Sequence, residues 1–180
     1  MLLSAPGFVP LIAEPDDLSG ECVWFVFHGN NILVRRDDTK VEVPRVEHPR
    51  MLGLDPVRTQ YLGTLHGRHC FSAECEDASN APDDLRWAGL RSLFGIIDDS
   101  TFLLAGRAVQ IMDWDRSHRF CGRCGTPTER RNHERSRVCP SCGQTHYPRV
   151  APVAMALVQR GRELLLARSP HFPPGMFSAL

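Results

Sequence analysis

The apolar positions of the chain change period along its length. Residues 22–27 (CVWFVF) are apolar without a break and rich in aromatic and β-branched types, which predicts a buried strand. His28-Gly29-Asn30-Asn31 has the chemistry of a hairpin turn, and residues 32–35 read as the return strand. Residues 40–43 alternate and read as a third strand, and residues 44–56, with Pro44, Pro49 and Pro56, as a connecting loop. Residues 57–71 read as strand, because Gly63 and Gly67 disfavour helix. Pro82-Asp83-Asp84 places a proline and two carboxylates where a helix start favours them, and predicts a helix to about Phe94. Asp98-Asp99-Ser100 repeats that signal. The helix it announces runs from Thr101 to about Arg116, with Phe102, Ala105, Val109 and Met112 as one buried stripe. Residues 1–20 are Pro-rich and acidic and read as a loosely ordered leader. Residues 153–158 and 163–167 read as two strands of a hairpin, followed by a loop over 169–175. Two strands and a stub do not make a sheet with a core. A domain therefore reads as beginning near residue 150 and cut off at 180.

Composition narrows the class. The chain has 180 residues, 42% hydrophobic and 23% charged, ordinary values for a globular protein. No apolar run approaches the ~20 residues of a membrane span, and Pro152 interrupts the best candidate, residues 150–158. The N-terminus lacks a basic lead and is broken by Pro6, Gly7 and Pro10, a poor signal peptide, so a cytoplasmic location is expected. Residues 1–105 hold 16 acids against 9 bases, and residues 106–180 hold 5 acids against 12 bases, all of them arginine. Such a half suits a phosphate-bearing partner, or simply compensates the acidic half.

Four of the seven cysteines form two tight pairs, Cys121-Gly-Arg-Cys124-Gly125 and Cys139-Pro-Ser-Cys142-Gly143. Each CxxC turn can present both sulfurs to one ion, and the following glycine permits the positive φ that closes it. Four thiolates fill a tetrahedral shell and leave no open position, so the site reads as structural zinc; tetrahedral sulfur also holds iron. Cys22 reads as a buried small hydrophobe, Cys70 and Cys75 match no ligand turn, and His118, His133 and His146 read as surface residues.

Bond-breaking chemistry is missing. Phosphoanhydride hydrolysis needs clustered carboxylates for magnesium or manganese, yet Glu163 is the sole acid after Cys142, and only Glu129 and Glu134 lie between Arg116 and Cys142. There is no Walker-type loop and no GxSxG elbow. No catalytic residue is assigned.

The runs LAGRAVQIMDWDRSHRFCGRCGTPTE (104–129) and CPSCGQTHYPRVAPVAMALV (139–158) resemble the NADH pyrophosphatase branch of the Nudix hydrolases. The resemblance implies an α+β chain in three parts: a mixed N-terminal domain over residues 1–116, a four-cysteine zinc ribbon over 117–149, and the incomplete first strands of a Nudix α/β sheet over 150–180. It implies hydrolysis of the pyrophosphate of NAD(H) or a related dinucleotide to nicotinamide mononucleotide and AMP. It extends to removal of an NAD cap from RNA, with magnesium or manganese in the full-length enzyme and a homodimeric assembly. Cys121, Cys124, Cys139 and Cys142 match the family's zinc ligands, and Glu134, Tyr147 and Arg91 its substrate contacts. A ring such as that of Tyr147 can stack on a base. The family's catalytic segment, ending in REx2Ex2EExG, is expected just past Leu180. The competing reading is a non-catalytic ribbon that grips nucleotide or RNA through Arg123, Arg130, Arg131, Arg135 and Arg137, or an inactive remnant.

Overall fold

A computed structural model describes residues 5–37 and 40–180. The chain divides into two compact units, residues 1–148 and 149–180. In the first, strands β1 (Phe8–Pro10), β2 (Cys22–His28), β3 (Asn31–Arg36), β4 (Val41–Glu42), β5 (Arg45–Val46), β6 (Arg58–Leu65), β7 (Arg68–Glu74) and β8 (Leu85–Gly89) form one mixed sheet. Helix α1 (Asp99–Ser117) packs on one face of it. A small three-stranded sheet follows, from β9 (Glu129–Arg130), β10 (Arg137–Val138) and β11 (Thr145–His146).

The unbroken apolar run of β2 is explained by its place in the sheet. It pairs in parallel with β7, from Val23↔Cys70 to Phe27↔Glu74, and both faces are covered. Val23, Phe25 and Phe27 lie in the core beneath α1, while Cys22, Trp24 and Val26 lie in a second core on the opposite face. Continuous hydrophobicity is what a strand buried on both sides requires. The β2–β3 hairpin pairs only near its turn, through Phe27↔Ile32 and His28↔Asn31. Further out, β4 pairs with β3 and β5 with β2, filling the splay between the strands.

Several expectations are corrected. Residues 85–89, within the expected helix, form β8, antiparallel to β3 from Asn31↔Gly89 to Arg35↔Leu85. The open edge of β3 wins over local helix-start chemistry, because Leu85 and Trp87 alternate into the second core. A 3-10 turn at Leu90–Leu93 follows. The expected loop over 44–56 contains β5 and a 3-10 turn at Pro49–Leu52. The leader is ordered over residues 8–10, where β1 pairs with β6 through Phe8↔Leu65, Val9↔Thr64 and Pro10↔Gly63, while residues 11–20 carry no strand or helix. Gly63, at φ 125°, sits at the β6 bulge, where a Cβ would lie 2.1 Å from the Val9 carbonyl oxygen. Only glycine lets β1 approach so closely. The expectations that fall on residues 1–4, 38 and 39 lie outside the described residues.

The predicted helix is present, with its buried stripe rotated. Leu104, Ala105, Ala108, Ile111, Met112 and Asp115 are buried, while Phe102 and Val109 are half-buried. Asp98 caps the helix by accepting a hydrogen bond from the Thr101 amide at 2.9 Å. In the second unit, β12 (Val158–Arg160) and β13 (Glu163–Leu165) form the expected hairpin about Gly161. Its strands are shorter than expected: residues 153–157 and 166–167 carry no strand. Ala167 bridges Ser178 instead.

The cap generates a pH-dependent prediction. Burial raises the Asp98 carboxyl, but hydrogen bonds from Thr101 outweigh it and hold the pKa below the ordinary carboxylate value. Asp98→Ala is expected to cost about 1 kcal/mol at neutral pH. A depressed pKa stabilises above the unfolded value, about 3.9, and that contribution is lost as pH falls through the folded value. Urea unfolding of wild type and variant should show a constant gap above about pH 5 that narrows below about pH 4.

Candidate metal centre

The two cysteine pairs fold into matching turns. The Gly125 amide donates to the Cys121 carbonyl at 2.9 Å and the Gly143 amide to the Cys139 carbonyl at 3.0 Å. The glycines stand at φ 75° and 73°. The Cys121 amide in turn donates to Thr126 and the Cys139 amide to Gln144. The Arg123 amide points at the Cys121 sulfur, 3.4 Å away, and this hydrogen bond is the largest influence holding that thiol below its ordinary pKa. The predicted turn chemistry is thus present in both halves.

The turns bring the four sulfurs within 4.8 Å of one another. Cys124 lies 3.4 Å from Cys139 and 3.6 Å from Cys142, and Cys121 lies 3.6 Å from Cys142, sulfur to sulfur. Four sulfurs bonded to one tetrahedral zinc stand about 3.8 Å apart. The arrangement fits the ion in number, type and spacing. Cys22, Cys70 and Cys75 stay buried in the sheet, and burial pushes Cys70 up to about 12 and Cys75 up to about 11. These are inert structural thiols. Among the described residues no other group of three or more His, Cys, Asp or Glu side chains gathers as a cation site.

Metal is the natural organiser of this segment, because it has almost no apolar interior. Between residues 118 and 148 only Cys121, Thr128, Ser136 and Cys139 are buried. The arginines expected to face a ligand face the protein instead. Arg137 donates to Asp115 at 2.6 Å and to the side chain and carbonyl of Thr128 at 2.8 Å. Arg130 pairs with the same carboxylate and donates to the Thr59 carbonyl at 3.0 Å. Arg135 donates to the carbonyls of Tyr61 at 2.6 Å and Leu11 at 3.2 Å. Arg131 pairs with Glu134 at 2.7 Å. Of the five, Arg123 alone has a guanidinium with no hydrogen-bond or ion-pair partner among the described residues, so the cluster does not form a free cationic surface.

Asp115 is the group that sequence reasoning missed. It is 1% exposed and also lies 3.4 Å from Arg58 of β6. Arg58 pairs in turn with Glu74 of β7, which takes Arg116 at 2.9 Å. Burial pushes the Asp115 carboxyl up, but Arg130 and Arg137 outweigh it and hold it below the ordinary range. A signal existed: residues 104, 108, 111 and 115 follow one helical stripe, so a carboxylate stands in line with the core.

Glu134 and Tyr147 come together. The Tyr147 hydroxyl donates to a Glu134 oxygen at 3.2 Å, and Ser136 donates to the other oxygen at 2.8 Å. Ser136 and Arg131 hold the Glu134 carboxyl below the usual range. Glu134 stands in the wall of a cavity of about 480 Å³, which Glu14, Tyr61, Trp114 and Arg131 also line. Tyr147 is 55% exposed, so it is no core aromatic. Arg91 is exposed on the 3-10 turn before α1, and no hydrogen bond or ion pair among the described residues joins it to Glu134 or Tyr147. Two of the histidines depart from the surface reading. His118 and His146 are half-buried, with ring centroids 5.6 Å apart, while His133 is exposed.

Chelation of the metal should unfold the segment of residues 118–147, because small thiolate sites fold with their ion. Circular dichroism and protease resistance of that segment are expected to fall on strong chelation. No change in either would contradict the assignment.

Comparison with known proteins agrees with this geometry. A family pattern described as NADH pyrophosphatase-like rudimentary NUDIX domain matches residues 21–114, and one described as NADH pyrophosphatase zinc ribbon domain matches residues 116–147. The NAD-capped RNA hydrolase NudC of Stutzerimonas stutzeri is 44% identical over 158 residues, covering 87% of this chain and 56% of the relative. The Chromobacterium violaceum protein of that name is 39% identical over 157 residues, with the same coverage. The one from Deinococcus radiodurans is 45% identical over 123 residues, covering 66% and 43%. The chain spans about half the length of the curated relatives it matches. It belongs to the NADH pyrophosphatase branch of the Nudix hydrolases, and carries that family's rudimentary Nudix-like domain and zinc ribbon.

Proposed function

We propose that the chain serves the hydrolysis of the pyrophosphate of NAD(H), giving nicotinamide mononucleotide and AMP, and the removal of NAD caps from RNA. The reading gives residues 1–116 to the N-terminal domain, 117–149 to the ribbon and 150–180 to the start of a Nudix domain. The observation that carries it is Glu134, in a cavity wall and hydrogen-bonded by the exposed Tyr147, in a chain whose relatives are named NAD-capped RNA hydrolases. A half-exposed ring beside an oriented carboxylate suits a nucleotide: the ring face stacks on a base and the carboxylate accepts hydrogen bonds from a ribose or an amide. Arg91 is a third contact on this reading. Zinc, closed by four thiolates, holds the ribbon and takes no part in bond breaking.

The carboxylates that hold magnesium or manganese belong, on this reading, to a segment outside these 180 residues. The working assembly is a homodimer in the cytoplasm. No helix among the described residues is long and apolar enough to cross a membrane.

Incubated with NADH and manganese, the 180-residue chain is expected to release no mononucleotide, and the protein from the complete reading frame to release both. Turnover by the 180 residues alone would overturn the division of labour. In that active protein, Tyr147→Ala should raise KM about 5- to 150-fold, the span of a base–aromatic stack, with a smaller change in kcat. An unchanged KM for NADH would remove Tyr147 from the substrate site.

A further inference from the structure

The buried carboxylate and the cysteine centre are joined by the chain between them. Arg130 and Arg137, which neutralise Asp115, both lie between Cys124 and Cys139. So does Arg135, which donates to the Tyr61 and Leu11 carbonyls. Strand β1 covers the outer edge of β6 only from Gly63 to Leu65, and the Leu11 amide takes the Leu62 carbonyl. The Tyr61 and Thr59 carbonyls are left to Arg135 and Arg130. The ribbon thus completes the N-terminal domain in two places: it supplies cations to a carboxylate the domain has already buried, and donors to an edge the domain leaves bare.

The ribbon has no apolar core to hold those arginines in place. Their positions depend on the turn-and-strand frame that the metal closes. With the frame gone, Asp115 keeps only Arg58, at 3.4 Å. A buried charge deprived of its partners is strongly unfavourable, so part of the metal's binding free energy is expressed at Asp115. Coupling of this kind is reciprocal: what the metal does for the Asp115 site, the Asp115 site does for the metal.

We propose that Asp115, which is no ligand, sets the metal affinity of the ribbon, and that helix α1, strand β6 and the four-cysteine centre form one metal-linked unit. A ribbon that bound its ion as an independent module would be indifferent to a residue in the preceding helix. The device reaches the cavity beside Glu134 as well, because Arg130, Arg131 and Arg135 line it together with Glu134. Loss of the ion loosens the cavity wall along with the docking.

The test is zinc affinity by competition with a chromophoric chelator, measured on the purified chain, without reference to activity. Asp115→Ala is expected to weaken zinc binding about 10- to 100-fold, within the usual range of coupling between sites. Leu104→Ala, on the same helix but beneath the sheet, removes core packing without touching the ribbon. It is expected to leave zinc affinity within about twofold of wild type, since distant sites with no shared partners act independently. Equal affinities for wild type and Asp115→Ala overturn the proposal. So does an equal weakening by Leu104→Ala, which would make the effect one of general stability. Should Asp115→Ala fail to fold, the unaltered chain decides. Stripping its zinc should speed amide exchange about tenfold or more over residues 111–117 and 58–61, the amount expected of a coupling in this range. Unchanged protection there, with residues 121–142 exchanging freely, overturns the proposal.

Discussion

Within residues 1–148, the buried Asp115 carboxylate ties helix, sheet and ribbon together. Asp115 stands at the end of helix α1, on the stripe that otherwise carries Leu104, Ala108 and Ile111 into the core. A carboxylate in that position is tolerable only when it is paired and hydrogen-bonded. Its partners come from three places: Arg58 from the sheet, and Arg130 and Arg137 from two strands of the ribbon. Through Arg58 the network continues to Glu74 and Arg116. Such an array adds little stability over an apolar core, but it fixes geometry, because each guanidinium satisfies the carboxylate in one orientation.

That geometry explains why a segment so poor in apolar residues sits where it does. The ribbon is anchored by donors rather than by a hydrophobic face. The arginine forks reach carbonyls and the one carboxylate. The excess of bases in the second half of the chain is suggestive of a phosphate-bearing partner when read alone, but four of its twelve arginines, Arg130, Arg131, Arg135 and Arg137, are taken up by internal contacts. What remains at the cavity wall is Glu134, oriented by Ser136 and Arg131 and hydrogen-bonded on its other oxygen by the half-exposed Tyr147.

Much of this was legible from the residues. The cysteine pairs and their glycines announced matching turns, because few arrangements require both. The run over 22–27 announced a buried strand, and Asp98 a helix start. The rest depended on partners distant in sequence. Leu85–Gly89 carries helix-start chemistry but answers the open edge of β3. β1 has no strong strand signal and exists because Gly63 lets it approach. The partners of Asp115 were not legible, since its three arginines lie 57 residues before it and 15 and 22 residues after it. The ligands of the centre were read from spacing, while the reason the ribbon docks was not.

One ion held by four thiolates fixes the placement of the arginines and, through them, the neutralisation of Asp115. Elemental analysis of the purified, cooperatively folded chain is the most direct measurement of that claim. It should return one zinc per chain, lost together with thiol protection when the cysteines are alkylated. A folded chain with Asp115 buried and no metal bound would contradict it.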